Sequence, residues 1–170
     1  MLVLGIDPGT ATTGYGLVRE NPDASLEVVE YGAILTPAKL PMPQRLLELH
    51  KQLNGILLLH HPVMGAVEKL FFQSNVRTAL SVGQARGVAL LALAQAGLEV
   101  AEYTPLQVKS AVTGYGGAGK DQVQQMVRAL LSLPELPTPD DAADALAVAI
   151  CHLHSYRMNA LKSMDGEGDQ

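Results

Sequence analysis

One carboxylate constrains this chain more than any other residue. Asp144 stands inside AADALAVAI, residues 142–150, a stretch so apolar that the helix it forms must be largely buried. A buried carboxylate is costly unless it is paired, hydrogen-bonded or bound to a metal, so the fold has to bring a partner to it. The helix is expected over residues 139–156, with Thr138 as its N-cap and Pro139 as its first residue. Asp140 and Asp141 then fall in the first turn, where acids meet the helix dipole favourably. Asp141 precedes Asp144 by three, so both project from one face and can grip one cation together.

Two more acids follow apolar strands. Residues 2–6 (LVLGI) run into the turn Asp7-Pro8-Gly9, and residues 63–67 (VMGAV) end at Glu68. In open α/β sheets the functional crevice lies outside the carboxyl ends of the strands. Singly, Asp7 reads equally well as a turn acid and Glu68 as a solvated charge. Jointly, three or four acids without a cysteine cluster or chelating histidines select hard cations, Mg²⁺ or Mn²⁺, over Zn²⁺. A pair of such ions suits phosphoryl-transfer chemistry.

The chain of 170 residues is expected to form a single domain over residues 1–160, with 161–170 a disordered acidic tail. Strands are expected over residues 2–6, 13–19 and 26–35, then a helix after Pro41 and Pro43 that closes near Pro62. A strand over 63–67, a long helix over 74–96, a strand over 98–103 and a helix opening at Thr104-Pro105 follow, then helices over 121–133 and 139–156. The second half of the long helix is apolar nearly all round, which implies burial by more than one neighbour or a subunit interface. This order predicts an α/β fold, a mixed five-stranded sheet with helices on both faces, laid out as in ribonuclease H-like domains.

Other motifs exclude other chemistries. The single Cys151 lies in an apolar stretch and reads as a packing thiol. His152 and His154 point in different directions from one helix, and His60 and His61 are expected to cap helix-end carbonyls. GYGGAGKD, residues 114–121, fits the spacing of a phosphate-binding loop, but Asp121 replaces the required hydroxyl and a helix precedes it. Glycine amides and Lys120 at a helix start can still hold a backbone phosphate. No apolar run reaches membrane-spanning length and the N-terminus lacks a basic leader, so a cytoplasmic protein is expected.

A net charge of −5 disfavours nucleic acid at first sight. Of the 17 acids, however, four belong to the proposed cluster and three to the tail, leaving ten against twelve basic residues. Between Lys69 and Arg128 six basic residues, among them Arg77, Lys109 and Lys120, face three acids. Directly after Glu68, one of Phe71 and Phe72 is placed to stack on an unpaired base.

Together GIDPGTATTGYG, AVEKLFF, ALSVGQARGVA, QVKSAVTGYGGAGKDQVQQMV and DDAADALAVAI resemble the RuvC family of Holliday junction resolvases, over essentially the whole chain and in the same order. The resemblance implies a structure-specific endonuclease that cuts opposed strands of four-way DNA junctions and leaves 5′-phosphate and 3′-hydroxyl ends. It implies Asp7, Glu68, Asp141 and Asp144 as ligands of two divalent cations per subunit, Mg²⁺ or Mn²⁺. It places Lys120 among the catalytic residues and Lys109 on the DNA backbone, and makes Phe71 the loop aromatic at the junction centre. Arg77 is taken as a further DNA contact on charge alone. A homodimer working with RuvA and RuvB is implied as well. The alternatives are a non-catalytic junction binder, which has no need of the acids, and a sugar-kinase-like ATPase, which needs two such domains.

Overall fold

The computed structural model describes residues 1–69 and 76–166, with side chains for 1–69 and 79–160. The strands are β1 (Leu2–Asp7), β2 (Thr12–Glu20), β3 (Leu26–Leu35), β4 (Met64–Glu68) and β5 (Glu99–Tyr103). The helices are α1 (Met42–His60), α2 (Val76–Gln95), α3 (Pro105–Thr113), α4 (Lys120–Leu130) and α5 (Asp140–Gly166). One sheet in the order β3-β2-β1-β4-β5 is antiparallel on one side of β1 and parallel on the other. The expected mixed five-stranded sheet is therefore present.

Alternation along the strands sorts side chains between two cores. Leu4, Ile6, Leu17 and Val67 pack beneath α1 and α2. Val3, Val18 and Ala66 pack on the other face beneath α3, α4 and α5. The two-residue period thus puts Asp7 and Glu68 on the α5 face, and the register sets them side by side, since Ile6 pairs with Val67 across the parallel ladder.

α5 reaches that face because glycines clear its path. A Cβ on Gly5 would strike the backbone of Ala145 and Ala149, one on Gly14 the backbone of Asp141, and one on Gly16 the side chain of Leu146. These strand positions let the helix lie on backbone, bringing its first turn to the carboxyl end of β1.

Several local expectations are corrected. The carbonyl of Pro139 accepts the first helical bonds, from Ala142 and Ala143, so α5 begins at Asp140 and Thr138 is not its cap. α5 continues through Gly166, past the expected end near Tyr156. The His60 ring turns to a side chain and not to a helix-end carbonyl among the described residues: its Nε2 lies 2.8 Å from Glu30, which also accepts from Tyr15 Oη at 2.8 Å. The backbone N–H of His61 closes α1 instead, bonding the carbonyl of Leu57. α2 packs on α1, β4 and β5, the burial by more than one neighbour expected of its second half, yet leaves Leu80 and Leu91 65% and 51% exposed.

Cys151 is buried, as expected of a packing thiol. His152, 4% exposed, lies between Tyr103 Oη at 2.9 Å and Met64 Sδ at 3.2 Å, whereas His154 meets the carbonyl of Ala111 at 3.0 Å. The two rings serve different elements and do not converge.

Candidate active site

Three chain segments supply the site. Asp7 ends β1, Glu68 ends β4, and Asp141 and Asp144 lie in the first turns of α5. The turn after Asp7 is tied down from three sides. Thr13 Oγ1 donates to the carbonyl of Gly9 at 2.6 Å, and Thr36 Oγ1 donates to that of Thr10 at 2.5 Å. Arg45 of α1 donates through Nε to Thr36 Oγ1 and through its terminal nitrogen to the carbonyl of Thr10, both at 2.9 Å. Arg45 was not foreseen from sequence.

Burial is the first cause of an upward shift at three of the acids, Asp7, Glu68 and Asp144. Burial, then repulsion from Glu68, Asp144 and Asp141, pushes the Asp7 carboxyl up to about 8, and its proton is donated to the Glu68 carboxylate. Burial and Asp144 raise Glu68 as well, against the opposing effect of Asp7 and of the Lys109 charge. Asp144 is raised by burial despite the nearby Lys120. Upward shifts driven by burial and increased by neighbouring acids mark carboxylates gathered in one partly buried site.

Positive charge arrives from the α3–α4 connection. Thr104 caps α3 in a complete capping box with Gln107, Gly114 closes it with φ +76°, and Gly119 opens α4 so that Lys120 is its first residue. Lys120 Nζ stands 3.2 Å from Asp140 Oδ2 and 3.3 Å from Asp144 Oδ2. A cleft of about 210 Å³ opens between Glu68, Val108, Lys109, Lys120, Asp144 and Ala147. Among the described residues no three carboxylates, histidines or cysteines already close on one point in ligand geometry. The acids are near enough to interact as charges, and Lys120 brings an opposing charge to Asp144.

The structure thus brings together five residues singled out from sequence, Asp7, Glu68, Asp141, Asp144 and Lys120, with Lys109 beside Glu68. Phe71 and Phe72 lie outside the described residues, as does the side chain of Arg77. Arg86, counted in the basic segment, is engaged by Glu102. Asp140 is explained differently from its neighbour: it accepts from Gln124 Nε2 at 3.0 Å and pairs with Lys120.

A sequence profile described as crossover junction endodeoxyribonuclease RuvC matches residues 3–152. The chain is 57% identical over 160 residues to a crossover junction endodeoxyribonuclease RuvC of Syntrophomonas wolfei, covering 94% of this chain and 92% of that one. The solved structure of Thermus thermophilus RuvC superimposes with a TM-score of 0.86 at 37% identity, covering 94% of this chain and 97% of that one. The same protein in complex with a Holliday junction substrate gives 0.85 at 35% identity, covering 93% and 96%.

Proposed function

Because the chain belongs to the RuvC family of crossover junction endodeoxyribonucleases, we propose that Asp7, Glu68, Asp141 and Asp144 are the acids with which it cuts four-way DNA. It is a structure-specific endonuclease that resolves Holliday junctions in recombination and repair. The observation that carries the residue assignment is that Glu68 and Asp144 line one cleft with Lys120, while the largely buried Asp7 beside them is close enough to feel the charges of Glu68, Asp144 and Asp141.

The donor set fits divalent cations. It is made of hard oxygen donors whose mutual repulsion a doubly charged ion relieves far better than a shared proton. The four acids would hold two ions, Mg²⁺ or Mn²⁺, which when bound acidify the attacking water and offset charge on the leaving oxygen. In the hydrolysis the bond from phosphorus to O3′ breaks, water oxygen takes its place, and the products are a 5′-phosphate and a 3′-hydroxyl. Lys120 supplies a cation at the cleft mouth to the phosphate under attack, and Lys109 faces the adjoining backbone. A non-catalytic junction binder has no use for acids that burial and repulsion make costly to retain.

The remaining contacts follow the same reading. Phe71 stacks on a base at the open junction centre and Arg77 contacts backbone. Two copies, paired by the α2 face that leaves Leu80 and Leu91 exposed, nick opposed strands symmetrically. RuvA and RuvB are the partners that deliver the junction. No helix among the described residues is long and apolar enough to cross a membrane; junction DNA as the substrate places the site of action in the bacterial cytoplasm.

The test compares a mobile four-way junction with linear duplex, each with Mg²⁺, with Mn²⁺ and with chelator. Paired nicks confined to the junction and dependent on cation are expected. Equal cutting of both substrates would show a general nuclease, and cutting in chelator would remove the cation assignment.

A further inference from the structure

Lys120 has two anionic partners on α5, and they are not equivalent. Asp144 lines the cleft with Glu68 and interacts with Asp7, so it belongs to the carboxylate cluster. Asp140 points outward, with its side chain 65% exposed, and uses one oxygen for Lys120 and the other for Gln124. Gln124 lies one turn after Lys120 on α4 and is only 9% exposed. Its fixed amide pins a carboxylate that would otherwise swing in solvent. Lys120, Gln124 and Asp140 therefore form a bracket between the first turns of α4 and α5.

We propose that Asp140 is the positioning residue for Lys120: anchored by Gln124, it holds the ammonium at the cleft mouth once a divalent cation engages Asp144. This rests on reading Asp144 as a cation ligand. A cation at Asp144 takes away one of the two partners of a long, flexible side chain, whose rotamer entropy would then disperse the charge. Asp140 lies outside the cluster and keeps the ammonium directed at the oxygen of a bound phosphate. Exposed ion pairs add little to stability, so the effect of the bracket is on orientation.

The experiment is single-turnover cleavage of a synthetic junction by the full chain, with junction affinity, thermal midpoint and calorimetric Mn²⁺ binding measured alongside. Asp140→Asn is expected to cut roughly tenfold more slowly at saturating junction, with affinity, midpoint and Mn²⁺ binding unchanged, and Asp140→Glu to recover most of the rate. In a Lys120→Met background Asp140→Asn should cause no further loss, because its effect passes through the ammonium. Wild-type cleavage by Asp140→Asn, or losses that multiply in the double variant, would overturn the proposal. Lost Mn²⁺ binding in Asp140→Asn would also overturn it, by making Asp140 a ligand. Asp144→Asn separates the two levels. If it is inactive while Asp140→Asn is normal, only the positioning role fails; if it still cleaves, the cation reading beneath fails too.

Discussion

The Arg45 guanidinium donates to the carbonyl of Thr10 at 2.9 Å, across 35 residues of sequence, and so fastens α1 to the turn that follows Asp7. The same side chain holds Thr36 at the end of β3, a fork that a lysine cannot reproduce. Arg45→Lys should therefore behave more like Arg45→Ala than like wild type. Both are expected to lose about 1–2 kcal/mol in denaturant unfolding, with a loss of cleavage rate at saturating junction. Full activity in Arg45→Ala would show that the turn is held well enough by Thr13 and Thr36.

Glycine substitutions should split in sign. Gly14→Ala forces α5 away from β2, with an expected cost of about 1–3 kcal/mol and a cleavage defect larger than stability explains, since Asp141 moves with the helix. Gly55, on the exposed side of α1, has open space around it, and Gly55→Ala should stabilise by about 0.5–1 kcal/mol. Urea unfolding of the two variants beside wild type provides the comparison.

Asp7→Asn should bind four-way junctions and fail to cut them, with at least a thousandfold loss of rate on an order-of-magnitude scale. Gel shift and cleavage on one labelled junction separate the two effects. Cleavage at the wild-type rate would sink the assignment of Asp7.

The same substitution has a pH signature in cation-free protein. Burial and the neighbouring acids raise Asp7 from 3.8 to about 8, so the folded chain keeps a proton that the unfolded chain has released. That contribution to stability is complete below the unfolded value and is lost as pH rises toward the folded one. Asp7→Asn cannot ionise and escapes the decline. Its thermal midpoint should exceed that of wild type by a few degrees, on the order of 5 °C, near pH 8, and the gap should shrink toward pH 4. A gap independent of pH would mean that Asp7 is not strained by its neighbours.

Phe71→Ala should fold normally yet resolve junctions more slowly, the loss of a stacked base amounting to about 1–3 kcal/mol of binding. Circular dichroism and a mobile-junction assay check the two halves, and unchanged turnover would remove the stacking role.

Local chemistry in the sequence marked most of these features. Asp-Pro-Gly ends β1, Thr104-Pro105 opens α3 with its cap, and a carboxylate amid alanines exposes the buried helix that carries Asp144. What stayed hidden depends on contacts distant in sequence. Arg45 looks like one charge on an amphipathic helix until the Thr10 turn folds onto it, and nothing near His60 announces Glu30, thirty residues earlier. The role of Asp140 emerges only when Gln124, sixteen residues before it, packs alongside. Gly14 and Gly16 were partly legible: two glycines at a spacing of two mark one bare strand face, though not which helix occupies it.

The bare face bears on which mutations the gene can tolerate. Every single-nucleotide missense change in a glycine codon installs a Cβ, and at positions 5, 14 and 16 even the smallest meets the helix that carries the acids. For these three codons the accessible missense neighbourhood holds no conservative replacement. A saturation library screened for junction cleavage should therefore show depletion there as deep as at the carboxylates themselves, although none of the three has a side chain to offer the reaction.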